Sequence, residues 1–162
     1  MLAVNQINQQ EKTMNKLITG ALLALTTMSA GAAEYYSRVD GMTDEDKSYV
    51  YISEDSCSRR CASIVLRTGG DVYINTRRYI GDYKYPIEVR FDKGDVTELN
   101  YNSDTKGTSL FLHSSDIKNF VGSIKKSNKL LIRTYNYKGT SEIKVFDLSG
   151  ASLALSKIAE FK

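Results

Sequence analysis

Hydrophobic and polar residues alternate most regularly in the heptapeptide YPIEVRF, residues 85–91. A period of two predicts a β-strand, because successive side chains of a strand point to opposite faces. The next three residues, DKG, predict a hairpin turn in which Gly94 takes a positive φ. Residues 95–101 then return as the partner strand, with Leu99 and Tyr101 on one face.

Short segments of the same kind recur along most of the chain, separated by turn residues such as Gly, Asn and Asp. The further predicted strands are 49–53, 63–67, 72–76, 110–112, 130–137 and 142–146. Roughly eight or nine strands of this length and spacing are typical of a sandwich or barrel.

Two segments follow the helical period instead. Hydrophobic residues at positions 117, 120, 121 and 124 predict a short amphipathic helix, capped by the polar triplet SSD that begins at Ser114. Near the C-terminus, Ala151, Leu155 and Ile158 recur at helical spacing and predict a second helix over 152–160. The sequence therefore predicts a mainly β fold, an antiparallel β-sandwich with one short amphipathic helix and a C-terminal helix.

Residues 14–33 have the order of features of a secretory signal peptide. Lys16 precedes an apolar run over 17–25, and small residues follow as far as Ala33. The run is about half of the ~20 residues that a bilayer-spanning helix needs, which favours cleavage over a retained anchor. We expect translation to begin at Met14 and cleavage to follow Ala33. The chain then divides into an N-terminal extension and signal over 1–33 and a single β-rich domain over 34–162.

The composition of the chain agrees with a strand-rich domain and argues against one class of partner. Eleven tyrosines and no tryptophan suit a strand-rich fold, because Tyr fits a half-buried pleated surface. The net charge is +3 at pH 7, and the charges are spread evenly along the chain. Such a weak positive charge does not predict a nucleic-acid partner.

The two cysteines, Cys57 and Cys61, predict a disulfide, because an exported protein folds in an oxidising compartment. Four residues of extended strand span about 13 Å, whereas a disulfide requires Cα atoms about 4.4–6.8 Å apart. Residues 58–60 must therefore form a tight turn. The bond is expected to shape a local loop rather than to hold the fold together.

Neither a catalytic site nor a metal site is predicted. His113 is the only histidine, and the Ser and Asp residues that follow it mark a helix start rather than a triad converging in space. One histidine and two nearby cysteines cannot complete a four-ligand zinc site. The acidic run 44–46 lacks the alternating oxygen ligands and the central Gly of a calcium loop, and is interpreted as a solvated turn.

Two basic segments are the candidate partner-binding residues. Arg59 and Arg60 lie in the turn that the disulfide would hold, so their guanidinium groups would be ordered before a partner binds. Arg77, Arg78 and Tyr79 form a second segment that combines cations with an aromatic ring. Tyr and Arg are enriched at protein interfaces.

Five short motifs, in this order, resemble the VasI-like family of small exported proteins associated with type VI secretion clusters and phages. They are DGMTD from Asp40, SIVLR from Ser63, VRFDKG from Val89, LLIR from Leu130 and VFDLSG from Val145. The resemblance implies a β-sandwich with a short helix, an accessory role in the envelope and no catalytic residues. The chain departs from the family at Tyr36, where a Trp is usual, and at Thr68, where a Cys often stands. The family's disulfide pattern is therefore not carried over.

These patterns predict an exported protein-interaction domain, periplasmic or secreted, that is accessory to a secretion apparatus and has no catalytic activity. The alternative is an inhibitor or an immunity or exclusion protein acting on a periplasmic or phage-derived enzyme. In both cases the expected partner is another envelope or exported protein. Nucleic acid, a retained membrane anchor and a small-molecule cofactor are not expected.

Overall fold

Two antiparallel sheets form most of the structure. The computed structural model describes residues 33–80 and 85–162, and these residues contain ten strands. The strands are β1 (Ala33–Tyr36), β2 (Tyr49–Ser53), β3 (Ser63–Arg67), β4 (Val72–Asn75), β5 (Ile87–Phe91), β6 (Val96–Leu99), β7 (Tyr101–Ser103), β8 (Ser109–Leu112), β9 (Lys129–Tyr135) and β10 (Ser141–Asp147). The helices are α1 (Ser114–Ile124) and α2 (Ala151–Leu155), followed by a 3-10 turn over Ala159–Phe161.

The sheets differ in size. The large sheet has six strands in the order β1-β2-β3-β4-β8-β7, and the small sheet has four in the order β10-β9-β5-β6. Alternate residues of most strands are buried in one core, to which the large sheet contributes Ile52, Ile64 and Ile74. Ile132 and Phe146 are contributed by the small sheet. The predicted β-sandwich with two helices is confirmed.

One predicted strand is in fact two strands of different sheets. The segment 95–101 was expected to be a single strand, but it forms β6 in the small sheet and β7 in the large sheet. The change occurs at Asn100, whose N–H donates to the Asp116 carboxylate at 3.0 Å and whose carbonyl accepts from the His113 N–H at 3.1 Å. Because both backbone groups bond to the start of α1, they cannot continue the ladder with β5.

The hairpin between β5 and β6 forms as predicted, but its positive φ lies at a different residue. Asp92 has φ 48°, whereas Gly94 does not adopt a positive φ. The Asp92 carboxylate accepts the backbone N–H groups of Asn128 at 3.1 Å and Lys129 at 2.9 Å. Those two bonds hold Asp92 in the left-handed region, which Asp tolerates better than most residues.

Both helices depart from the predictions in detail. The N-cap of α1 is His113, and no side chain of the SSD triplet caps the helix. The C-terminal helix is shorter than the predicted 152–160, because α2 ends at Leu155 and the chain becomes extended at Ile158. The Ser156 hydroxyl donates to the Leu153 carbonyl at 2.7 Å, a local bond that competes with helix continuation.

The predicted N-terminal extension and signal peptide lie outside the described residues up to position 32. The first described residue, Ala33, already pairs with Ile52 at the edge of the large sheet. Within 33–80 and 85–162, no helix combines the length and the hydrophobicity needed to cross a membrane.

Candidate protein-binding site

The first basic segment is a loop closed by the predicted disulfide. Cys57 and Cys61 are bonded, with their Cα atoms 5.4 Å apart, so the chain makes the tight turn that the spacing required. Arg59 and Arg60 lie at its tip and are exposed. Arg60 has φ 53°, a left-handed conformation that costs a non-glycine residue about 1 kcal/mol or more.

The base of this loop is fixed to both sheets. The Ala62 N–H donates to the Glu54 carboxylate at 2.8 Å, and the Glu54 N–H donates to the Ala62 carbonyl at 3.0 Å. The Asp55 N–H donates to the carbonyl of Val145 in the small sheet at 2.7 Å. The two arginines are therefore presented from a rigid base, which lowers the entropy lost when a partner binds.

Replacing both cysteines by Ser is expected to lower the free energy of unfolding by about 2 kcal/mol, because closing so short a loop restricts the unfolded chain only slightly. Denaturant unfolding with and without reductant measures the effect. Reduced wild-type protein should match the double variant, and the variant should not respond to reductant. A loss above about 4 kcal/mol would instead mean that the bond holds the sandwich together.

The second basic segment begins at the same end of the large sheet as the disulfide loop. Ser53 is opposite Ser63, and Ser63 is opposite Asn75, so the disulfide loop and the residues after Asn75 emerge side by side. Arg77 has φ 57°, and its N–H donates to the Asn75 side-chain oxygen at 3.0 Å. The register therefore brings the two predicted segments to one end of the sandwich.

Hydrogen bonds from Thr76 and Ile80 hold the second segment against the turn between β7 and β8. The buried Thr76 hydroxyl lies 2.7 Å from the Arg78 carbonyl and 3.0 Å from the Thr108 carbonyl. The Ile80 N–H donates to the Gly107 carbonyl at 3.0 Å. The exposed side chains of Arg77, Arg78 and Tyr79 are thus attached to an ordered backbone.

The Tyr79 ring lies directly against Gly107, where any side chain would force the ring to move. A Cβ atom at Gly107 would be 2.7 Å from the Tyr79 ring, and Gly107 has φ 61°. The ring remains 50% exposed and approaches Tyr137 of the β9–β10 hairpin, with centroids 6.3 Å apart. Lys138 adds a cation near the Tyr137 ring, at 5.5 Å from its centroid.

Asp104 organises the turn beneath Tyr79. Burial raises the pKa of this carboxyl. The backbone N–H groups of Thr108 and Ser109 donate to it at 2.8 and 3.2 Å, and together such hydrogen bonds lower the pKa by more than burial raises it. The net pKa lies below the usual value for Asp. The carboxylate therefore stays ionised and keeps the turn ordered at neutral pH.

A chain of alternating charges, buried at Lys144 and exposed at Arg78, joins the two basic segments. Lys144 is only 3% exposed, and its ammonium lies 3.9 Å from the Glu54 carboxylate and 3.3 Å from that of Glu142. Glu142 in turn lies 3.4 Å from the Arg78 guanidinium. Glu54 belongs to the base of the disulfide loop and Arg78 to the second segment, so Lys144 connects the two halves of the site.

The predicted site residues did not include Lys144, Tyr137 or Gly107. A signal for Lys144 exists, since it occupies an inward position between Glu142 and Phe146 in the alternation of β10. The second segment and the β9–β10 hairpin also enclose a cleft of about 360 Å³, a volume within the range of ligand sites. Tyr79, Ile80, Thr134 and Glu142 are among its walls.

His113 lies away from this site. Ser109 begins β8 at the basic end of the large sheet, opposite Asn75, and His113 follows the other end of the same strand. No group of three or more His, Cys, Asp or Glu side chains that could hold a metal ion occurs in the described part of the chain.

Comparisons with known proteins define the class of fold. No protein-family model matches the chain, and no curated protein matches it in sequence. The structure is similar to the crystal structure of invasion associated protein B from Bartonella henselae, with a TM-score of 0.54 and 17% sequence identity. The match covers 78% of this chain and 90% of that protein. At this identity the likeness is one of fold.

Proposed function

We propose that this chain is an exported protein-interaction domain that binds an acidic surface of another envelope or exported protein. The binding site is the basic end of the sandwich, formed by Arg59, Arg60, Arg77, Arg78 and Tyr79. The observation that carries the proposal is the convergence of these two segments, since both are exposed and both are held by backbone bonds.

The chemistry of the basic end suits a protein partner. Arginine forks pair with carboxylates through two parallel hydrogen bonds, and tyrosine supplies contact area with few rotatable bonds. Two of the four arginines lie on the disulfide loop, and the other two lie on the second segment beside the cleft. Their positive charge would attract an acidic partner before contact and hold it afterwards. The domain needs no catalytic step or cofactor for this role.

The particular partner we propose belongs to a secretion apparatus, with the chain as an accessory protein. The resemblance to the VasI-like family supports this assignment. The disulfide also supports a location in the periplasm or outside the cell, because such bonds persist in oxidising compartments.

A second candidate function is inhibition of an enzyme, and the shape of the disulfide loop favours it. Arg59 and Arg60 stand at the tip of a short loop that covalent bonding keeps narrow. Such a tip could enter the cleft of a glycoside hydrolase, whose catalytic groups are two carboxylates. An immunity or exclusion protein would act in the same way.

Capture from an envelope extract tests the proposed site, with residues 34–162 as bait and mass spectrometry as readout. Replacing Arg59 and Arg60 by Ser should weaken binding of the captured partner at least about 30-fold, because Arg anchors are worth about 2 kcal/mol or more. Thermal stability should not change, because both side chains are exposed.

The matched control replaces Lys125 and Lys126 by Ser, an adjacent basic pair at the end of α1. This variant loses the same charge and should capture the partner normally. An equal loss of capture in both variants would show that capture depends only on net charge. Unaltered capture by the arginine variant would show that the disulfide loop is not part of the binding site. If the captured partner is a hydrolase and the bait inhibits it, the second candidate function, enzyme inhibition, would be supported over an accessory role in secretion.

A further inference from the structure

The outer face of the large sheet carries two groups of aromatic side chains on either side of Val65, and together we name them the tyrosine face. Its members all alternate with core residues along their strands, and they are Tyr36, Tyr49, Tyr51, Tyr73 and Phe111. The register aligns them across the strands, since Tyr51 is opposite Val65, Val65 is opposite Tyr73, and Tyr73 is opposite Phe111. Sequence periodicity alone does not reveal this row, because it depends on pairing between strands.

The rings of the tyrosine face contact one another. Tyr36 and Tyr49 stack with centroids 5.0 Å apart, and Tyr73 and Phe111 lie 5.1 Å apart. Tyr36 also meets Tyr51 edge to face at 6.5 Å. Between the two groups of rings, Val65 is only 6% exposed, so the surface offers aromatic rings and phenolic hydroxyls but almost no aliphatic area.

The charges of the tyrosine face balance. Glu34 accepts a hydrogen bond from the Tyr36 hydroxyl. The Arg67 guanidinium lies 4.9 Å from the centroid of the Tyr73 ring and donates to the Tyr73 hydroxyl at 3.1 Å. One anion and one cation, each engaged with a tyrosine, leave the face without the excess charge that an acidic protein or a nucleic acid would require.

The outer face of the small sheet shows that such a row is not a general property of this sandwich. That face is crossed by the Arg133–Glu88 ion pair at 2.5 Å. Tyr135 on this face donates its hydroxyl to Glu88 at 2.7 Å and packs on one further ring, Tyr85, with centroids 5.0 Å apart. Arg90 and the exposed Ile143 lie on the same side.

We propose that the tyrosine face binds a neutral polysaccharide. The C–H faces of sugar rings stack on aromatic rings, and sugar hydroxyls exchange hydrogen bonds with phenolic hydroxyls. A row of small polar residues borders the rings, with Ser53, Asn75 and Ser109 half-buried at the same register positions of β2, β4 and β8. A surface that is aromatic, hydroxylated and without net charge fits a neutral polyhydroxyl chain, because sugar rings stack on aromatic rings and sugar hydroxyls carry no charge.

Titration of the purified protein with two neutral probes tests this proposal. The probes are the β-1,4-linked hexamers of N-acetylglucosamine and of glucose. Since the chain has no tryptophan, its intrinsic fluorescence comes from tyrosine, and the Tyr51 and Tyr73 variants assign any change to the tyrosine face. A saturable change with at least one hexamer is expected, and the absence of a response to both would overturn the proposal.

Replacing Tyr51 and Tyr73 by Ser should weaken binding by about tenfold or more, since each stacked ring is worth about 1 kcal/mol. Replacing the same two residues by Phe keeps the rings and removes only the hydroxyls, so it should weaken binding less than the Ser replacement does, which separates ring loss from hydroxyl loss. The control variant is Tyr135→Ser on the small sheet, with affinity unchanged. Unaltered binding by the Ser variant would overturn the proposal, and so would equal loss in the control.

Discussion

Truncating Phe146 to Ala is expected to lower the free energy of unfolding by about 4 kcal/mol, because deletion of a fully buried ring combines lost transfer energy with a cavity. Phe146 is 0% exposed on the inner face of β10. It also lies where the small sheet meets the large one, since it forms an isolated bridge with Glu54. Denaturant unfolding at equilibrium measures the loss.

Two variants of β10 provide the comparison. Phe146→Leu keeps most of the volume and should cost less than about 1.5 kcal/mol. Ile143 belongs to the same strand but points outward and is 51% exposed, so Ile143→Ala should change stability by about 0.5 kcal/mol or less. If Phe146→Ala proved no more costly than Ile143→Ala, the assignment of the two faces of β10 would be wrong.

Replacing Lys144 by Met should cost about 3 kcal/mol and should also weaken partner capture. The substitution keeps the length of the side chain but removes the buried ammonium that faces Glu54 and Glu142. Removal of one partner leaves the Glu54 carboxylate, which is largely buried, without its cation, and an unpaired buried charge is strongly destabilising. Capture should decrease because Glu54 anchors the disulfide loop and Glu142 contacts Arg78.

Adding Glu54→Gln to the Lys144→Met variant separates the charge effect from packing. The double variant should recover about half or more of the lost stability, because it removes the uncompensated carboxylate. Strictly additive losses would show that Lys144 and Glu54 do not interact. Normal capture by a folded Lys144→Met variant would show that the two basic segments function without the charge network.

The sandwich could be predicted because its local signals agree with the tertiary structure. The alternation in β5 and the helical period of α1 both match the buried residues, such as Val89 and Phe120. The division of 95–101 between two sheets could not be predicted, because the alternation is the same on both sides of Asn100. Only the bonds from Asn100 to Asp116 and His113 end the ladder there.

The residues of the candidate site were predicted more readily than its arrangement. Exposed arginines in turns are visible in the sequence, and the spacing of the cysteines required the turn that presents Arg59 and Arg60. That the second segment lies beside them depends on the register of β2, β3 and β4, which is a set of long-range pairings. The contribution of Lys144 depends on the same pairings and on the packing of the two sheets.

The two proposed surfaces, the basic end and the tyrosine face, would bind different kinds of ligand within one domain. The basic end carries exposed arginines on rigid backbone and suits a specific protein partner. The tyrosine face is aromatic and carries no net charge, and it suits a repetitive neutral polymer. Because the variants of each surface leave the other intact, the two activities can be measured independently.

Hydrogen exchange of the captured complex tests the central claim most directly. We expect slowed exchange on partner binding at the amides of 54–62 and 76–80, the two basic segments, and in the adjoining turn 136–140. The amides of α1 should exchange as in the free protein. Protection confined to α1 or to the tyrosine face, with unchanged exchange in the two basic segments, would contradict the proposal that the basic end is the protein-binding site.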